Sequence, residues 1–128
     1  MDQRTHEHTS EQYVGRPVDI ADGRAVVELA TTEEMTVDDR GLVHGGFVYG
    51  AADYAAMLAV NEPTVVLTAS EVTYPNPTRV GQTVRAEATV TDGGDRPTVE
   101  VTARIEETGE TVLDGTFSCA VLPEHVLS

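Results

Sequence analysis

Residues 41–60 read GLVHGGFVYGAADYAAMLAV, and they form the only long segment that is rich in helix-forming residues and free of proline. A His-Gly-Gly turn opens the segment. Glu62-Pro63 ends it, because the residue before a proline disfavours helical geometry. We predict a helix from about His44 to Asn61, roughly 27 Å long at a rise of 1.5 Å per residue. Its alanines make it narrow, so that a curved sheet can wrap it closely.

Asp53 is the single carboxylate within this helix, and alanines surround it. Aspartate has poor helix propensity, and a carboxylate on a packed helix must find partners or water, or titrate at a raised pKa. An exposed helix face and a functional role both explain it. Gly45 and Gly46 give a similar choice. They are either a flexible helix entry or unpaired N–H groups at the positive helix end, with the geometry of an oxyanion hole.

The spacing of these residues bears on how they could act together. Gly45 and Asp53 are eight residues apart, which places them about 80° apart around the helix axis and ~12 Å apart along it. One helix therefore cannot bring both to the same reacting carbonyl. Two copies in a dimer could.

The flanking sequence predicts strands, since apolar and polar residues alternate between turn signals such as Asp22-Gly23 and Thr108-Gly109. Tight turns predict antiparallel neighbours joined by hairpins, and residues 1–12 predict a poorly ordered start or a single helical turn. We therefore expect one α+β domain over residues 1–128, with one central helix wrapped by an antiparallel sheet of five to six strands, as in the hotdog fold. The predicted strands are 16–20, 24–30, 64–74, 83–90, 97–106 and 111–122.

Charge and composition exclude several classes of protein. The net charge is −14, with 22 acidic residues against eight arginines and no lysine, which disfavours nucleic acid and anionic membranes as partners. Acidic excess without lysine resembles proteins of extreme halophiles, in which concentrated salt screens the self-repulsion. The chain has no apolar run long enough for a membrane span and its start does not resemble a signal peptide, so we expect a cytoplasmic protein.

Two further residue types give weaker signals. Cys119 is the only cysteine, which rules out an internal disulfide, and its alternating strand pattern predicts a buried thiol. His6 and His8 have no further ligand types beside them, so we expect a solvated tail and no metal site.

The pattern Gly41-x-x-His44-Gly45-Gly46-x6-Asp53 resembles the signature of the hotdog thioesterases of the phenylacetate-pathway type. The strand, proline turn and glycine of residues 72–84 are also similar to that family, and the likeness covers roughly residues 38–122.

The resemblance implies hydrolysis of an acyl-CoA thioester at the interface of a homodimer, commonly within a dimer of dimers, with no cofactor beyond the CoA of the substrate. It implies that the Gly45 N–H, next to Gly46, holds the thioester carbonyl while His44 fixes the turn. Asp53 from the partner would be the nucleophile or the general base on water. Tyr74 matches a position that contacts coenzyme A in relatives.

The chain departs from the family pattern at three positions. Asp38 stands where relatives often have an asparagine near the carbonyl, and Leu67 stands where many carry a hydroxyl that positions water, with Thr68 beside it as a substitute. Asp92 stands where a cation often binds CoA phosphates, so phosphate contacts would fall to arginines such as Arg79 or Arg85, although a solvated surface position is the commoner role for each. These departures keep a non-catalytic acyl-CoA-binding module open as an alternative. A hotdog enoyl-CoA hydratase is the second alternative, because Asp39 and His44 are spaced like the aspartate and histidine of the hydratase motif.

Overall fold

Six strands and one long helix make up most of the computed structural model, which describes residues 1–128. The predicted helix and all six predicted strands are confirmed to within two residues at each end. In chain order the elements are α1 (Glu11–Val14), β1 (Arg16–Ala21), β2 (Arg24–Ala30), a 3-10 turn (Glu33–Met35), α2 (Gly45–Val60), β3 (Val65–Thr73), β4 (Thr83–Asp92), β5 (Thr98–Ile105) and β6 (Thr111–Val121).

The strands form a single antiparallel sheet in the order β1-β2-β4-β5-β6-β3. The expectation that β3 and β4 are hairpin neighbours is wrong, since β3 pairs with β6 at the far edge. The connection between β3 and β4 contains Pro75 and Pro77 and is too long for a tight hairpin turn. As a result β3 is an edge strand with one side unpaired within the chain.

Helix α2 packs on the inner face of this sheet through its small side chains. Ala51, Ala52, Ala55 and Ala56 are completely buried, and they allow β2, β4 and β5 to approach the helix closely. The inner face of the sheet contributes mostly Val, Leu and Ala, with Phe117 as the one buried phenylalanine. The α+β class is confirmed, and the arrangement is that of a hotdog fold. None of the helices has the length and apolar character needed to cross a membrane.

The N-terminal segment is hydrogen-bonded to the end of α2. Asn61 ends the helix in the left-handed conformation, with φ 52° and ψ 39°, and it is buried. Its Oδ1 accepts the Arg4 N–H at 2.8 Å, and its Nδ2 donates to the Asp2 carbonyl at 2.8 Å. Gln3 Nε2 adds a bond to the Tyr54 hydroxyl at 3.0 Å. The sequence predicted one helical turn here, which is α1, but not this attachment.

Two substitutions separate the roles of Asn61 in stability. Asn61→Gly keeps the left-handed C-cap and loses the two side-chain bonds, which we expect to cost about 1–2 kcal/mol. Asn61→Ala also carries the penalty of a β-carbon in that conformation, about 1 kcal/mol more. Chemical denaturation in concentrated KCl measures the difference. Equal stability of the two variants would contradict the role of backbone conformation.

Candidate functional site

His44 caps the start of α2 with hydrogen bonds from both its side chain and its backbone. Its Nδ1 accepts the Gly46 N–H at 2.8 Å, and its carbonyl accepts the Phe47 N–H at 3.1 Å. Its own N–H donates to the Met35 carbonyl at 2.8 Å. Because Nδ1 is the acceptor, the neutral ring carries its proton on Nε2. His44 therefore holds the turn that opens α2 through three hydrogen bonds.

The Gly45 N–H has no acceptor within the chain. Of the two glycines, Gly45 alone has an unpaired N–H, since His44 Nδ1 accepts the N–H of Gly46. Gly46 must lack a side chain for this cap to form, because a β-carbon there would lie 2.8 Å from His44 Nδ1. The helix entry thus presents one free donor at the positive end of the dipole.

Tyr74 lies against this donor from the end of β3. Its hydroxyl donates to the Gly45 carbonyl at 3.3 Å. A β-carbon on Gly45 would lie 3.2 Å from Tyr74 Cε1. The peptide group between Gly45 and Gly46 is therefore held at both ends, by Tyr74 at the carbonyl and by His44 at the N–H. Gly45 and Tyr74 line one pocket of about 320 Å³ together with Leu42, Asn76 and Pro77.

Asp53 lies in a different pocket, farther along the same helix. This pocket measures about 330 Å³, and its walls include Met57, Val65 and Leu67. Asp53 Oδ1 is buried without a hydrogen-bond partner, and burial raises the pKa of the carboxyl above its ordinary 3.8. An unpartnered, partly desolvated carboxylate is a stronger base than one in water. It is therefore the one helix residue with the character of a general base or nucleophile.

Gly45 and Asp53 do not meet within one protomer. Eight residues of helix separate them, about 12 Å along the axis, and they line separate pockets. The structure thus agrees with the prediction from spacing that one copy of the chain cannot bring both residues to the same carbonyl.

Leu67, not Thr68, lines the Asp53 pocket. A bulge in β3 lies between Leu67 and Ala69, and it places Thr68 on the exposed side, where its hydroxyl donates to the Ser118 carbonyl at 3.0 Å. Thr68 is therefore occupied and outside the pocket that it was expected to serve. The sequence shows no signal for such a bulge.

Asp38 shapes the loop that leads into the helix. Its Oδ1 accepts the Arg40 N–H at 2.9 Å and the Leu42 N–H at 3.2 Å. Asp38 does not line the Gly45 pocket, although Leu42, which it holds, does. Its carboxylate is thus turned toward the loop backbone rather than toward Gly45.

Histidines from both chain ends line the Asp53 pocket, which no pattern in the sequence indicated. His6 and His125 both contribute to its wall. His6 is exposed, as expected for a solvated tail, but Thr5 Oγ1 lies 2.7 Å from its Nδ1 and partial burial of the ring lowers its pKa. The bonds of the N-terminal segment to Asn61 and Tyr54 hold it at this end of the helix, and no local sequence pattern indicates them.

Cys119 lies on β6, opposite Leu67 of β3. It is a free, buried thiol, as predicted. Burial, with a smaller contribution from the Asp53 charge, raises the pKa of the thiol to about 11. It is therefore protonated at neutral pH and a poor nucleophile.

Comparison with known proteins identifies the family. The model of the thioesterase superfamily matches residues 40–112, more than half of the chain, and the chain belongs to this family. The helix entry and Asp53 both lie within the matched residues.

Solved structures share the whole fold. The uncharacterized protein PH1136 from Pyrococcus horikoshii is 53% identical, with a TM-score of 0.96 over 100% of this chain and 98% of that one. Cj0977, a sigma28-regulated virulence protein from Campylobacter jejuni, is 26% identical, with a TM-score of 0.90 over 97% and 87% of the two chains. The PaaI protein of the E. coli phenylacetic acid degradation operon is 20% identical, with a TM-score of 0.83 over 94% and 88%, and that similarity shows the fold alone.

A curated relative matches over only part of its length. The methylthioribose-1-phosphate isomerase of Aquifex aeolicus is 49% identical over 92 residues, which are 72% of this chain and 20% of that protein. The chain therefore spans about a fifth of the curated relative that it matches.

Proposed function

We propose that this protein hydrolyses an acyl-CoA thioester to the free acid and CoA. The observation that carries the proposal is that one helix carries both a free backbone donor, at Gly45, and an unpartnered, partly buried carboxylate, at Asp53. A thioester hydrolase needs both, since one holds the developing oxyanion and the other activates the attacking group. Membership of the thioesterase superfamily supports this reaction class.

The chemistry that we propose divides between two copies of the chain. The thioester carbonyl accepts the Gly45 N–H of one subunit, while Asp53 of the other removes a proton from water or attacks the carbonyl carbon itself. The tetrahedral intermediate collapses, the C–S bond breaks, and the CoA thiolate leaves and takes up a proton. In the nucleophilic route, water then hydrolyses the acyl-Asp53 anhydride. Under single turnover in H₂¹⁸O, ¹⁸O in the Asp53 carboxyl group would establish the nucleophilic route, because water that attacks the Asp53 carbon of the anhydride leaves its oxygen there and the general-base route cannot.

The unpaired edge of β3 supports a dimer. A strand of nine residues with one free edge is an aggregation hazard unless it is covered. Pairing of β3 with β3 of a second copy would continue the sheet, with the symmetry of an isologous dimer. We propose that such dimers associate further into a dimer of dimers. Sedimentation measures the state, and a strict monomer would contradict the two-subunit site.

The first test is release of free thiol from a panel of short, medium and aromatic acyl-CoAs. The assay belongs in concentrated KCl, because the acidic, lysine-free composition supports a high-salt habitat. Turnover of at least one member of the panel is expected. No turnover by a folded protein that assembles into dimers would contradict the proposed function.

The second candidate is a module that binds acyl-CoA without hydrolysing it. Leu67 favours this reading, because it lines the Asp53 pocket where many relatives carry a hydroxyl group, and Thr68 faces away. Calorimetry that detects acyl-CoA binding to a protein without turnover would support this module over the enzyme.

Tyr74 provides a prediction about the helix entry. Tyr74→Phe removes the bond to the Gly45 carbonyl and keeps the ring, so we expect kcat to fall about tenfold, the value of one hydrogen bond, with little change in KM. Tyr13→Phe is the matched control, because Tyr13 is also partly exposed and its hydroxyl bonds Glu34 instead. A raised KM with unchanged kcat would instead assign the Tyr74 hydroxyl to substrate binding.

A further inference from the structure

The arginines divide into two groups according to their partners. Of the eight arginines in the chain, four form salt bridges: Arg4, Arg16, Arg24 and Arg85. The other four have no salt bridge, although the chain carries 22 carboxylate side chains: Arg40, Arg79, Arg96 and Arg104. In so acidic a protein, guanidinium groups without a carboxylate partner are the natural places for an anionic ligand.

Two of these unpaired arginines line the same surface pocket. Arg40 and Arg79 line a surface pocket of about 220 Å³. Leu42 and Pro77 line both this pocket and the pocket that contains Gly45, so the two are adjacent.

The backbone fixes Arg79 beside the approach to the helix. Arg79 pairs with Leu42 in an isolated β-bridge, and the Val80 N–H donates to the Gly41 carbonyl at 2.8 Å. Leu42 precedes Gly45 by three residues, a separation of at most about 10 Å along the chain. The pair of arginines is thus held near the free donor but not at it.

We propose that Arg40 and Arg79 bind the phosphate groups of the CoA thioester while its carbonyl lies at Gly45. The inference rests on the proposed function and names the residues that hold the substrate's anionic end. Guanidinium groups bind phosphate oxygens through paired, charge-assisted hydrogen bonds. The pantetheine arm separates the phosphates of CoA from the thioester, as the neighbouring pocket separates the arginines from Gly45. The two arginines would also replace the cation that relatives often have at the position of Asp92, at the end of β4.

Asp38 opposes the phosphate charge in this pocket. It lines the pocket with Arg40 and Arg79, and one of its oxygens is bound by the backbone N–H groups of Arg40 and Leu42. Asparagine at this position keeps the side-chain acceptor and removes the negative charge. Asp38→Asn should therefore strengthen binding of CoA, in the opposite direction to substitution of the arginines.

The test compares two thioesters of the same acyl group, one on CoA and one on N-acetylcysteamine, which lacks phosphates. For Arg79→Gln and Arg40→Gln we expect the KM for the acyl-CoA to rise about tenfold each, with kcat unchanged. The KM for the N-acetylcysteamine thioester should not change. Asp38→Asn should lower the KM for the acyl-CoA alone. Arg104→Gln is the matched control, because Arg104 is also unpaired but lies on β5, and it should change neither value.

The outcomes separate this inference from the proposed function. Equal effects on both thioesters, or no effect of either arginine, overturn the phosphate site while hydrolysis stands. If the wild type hydrolyses neither thioester, the proposed function fails, and calorimetry with free CoA then decides the site. The phosphate site is supported if Arg79→Gln weakens binding of free CoA about tenfold and Arg104→Gln does not. It is overturned if the wild type does not bind CoA, or if Arg79→Gln binds it as tightly as the wild type does.

Discussion

Asp53→Asn is expected to reduce thioester hydrolysis by about 10³-fold, because it removes the group that activates water or attacks the carbonyl and keeps the shape of the side chain. Asp53→Ala should do the same. Both variants should fold and assemble like the wild type, since Asp53 Oδ1 makes no hydrogen bond that the fold would lose. Thiol release and sedimentation measure the two effects. Full activity in either variant would overturn the mechanism.

The raised pKa of Asp53 adds a stability effect of known sign. Burial raises the folded-state pKa above the ordinary 3.8, so the folded chain binds more protons than the unfolded chain between those two values. The free energy of unfolding therefore falls as the pH rises through that interval. Above it the ionised carboxylate costs stability, and Asp53→Asn should be more stable than the wild type. Below both values the difference should disappear, and activity should also fall as the pH drops through the raised pKa.

Gly45→Pro is expected to reduce hydrolysis by about 10²- to 10³-fold, because proline deletes the N–H that is proposed to hold the oxyanion. The substitution suits the fold. Gly45 is the first helical residue, where proline is favoured, and the extended conformation of His44 fits the residue before a proline. No atom of the chain accepts a bond from this N–H, so no internal hydrogen bond is lost.

Gly45→Ala is the matched control for proline. It adds the same β-carbon, which lies 3.2 Å from Tyr74 Cε1, but it keeps the N–H. We expect a smaller loss from alanine, and the difference between the two variants isolates the donor. Equal activity of Gly45→Pro and Gly45→Ala would show that this N–H does not take part in the reaction.

The same two variants test whether the site is shared between subunits. Mixed dimers of Gly45→Pro with Asp53→Asn contain one site with both defects and one intact site. If subunits assort at random, half of the dimers are mixed, so activity should return to about a quarter of the wild-type value. Mixing without recovery, when subunit exchange is independently detected, would show that Gly45 of one subunit and Asp53 of the other do not form one site.

The sequence was sufficient for the elements but not for all of their neighbours. The helix ends follow from the His-Gly-Gly turn and from Pro63, and the strands follow from alternation and turn residues, which are local properties. The pairing of β3 with β6 is not local. It depends on the path of the linker after Tyr74 and on which strand covers the far side of α2.

The candidate site divides in the same way. Spacing alone indicated that Gly45 and Asp53 cannot act on one carbonyl within a single copy, because helix geometry is fixed. The occupied N–H of Gly46 depends on the side-chain rotamer of His44, and the position of His6 depends on long-range bonds from the N-terminal segment to Tyr54 and Asn61. No pattern of residue types in the sequence indicates either of these features. The sequence makes Arg79 and Arg85 equal candidates for phosphate contacts, and only the salt bridges of Arg85 to Glu28 and Glu87 distinguish them.

Cys119 allows thiol-specific labelling to report both on turnover and on the opening of the sheet edge. The thiol is unreactive while β3 and β6 stay paired, because it is buried and its pKa is about 11. A thiol-specific dye added during turnover should therefore count released CoA without background from the folded enzyme. In the absence of substrate, the slow labelling of this one sulfur should follow the opening of the β3 edge, the strand proposed to join two subunits, and should slow as dimers form.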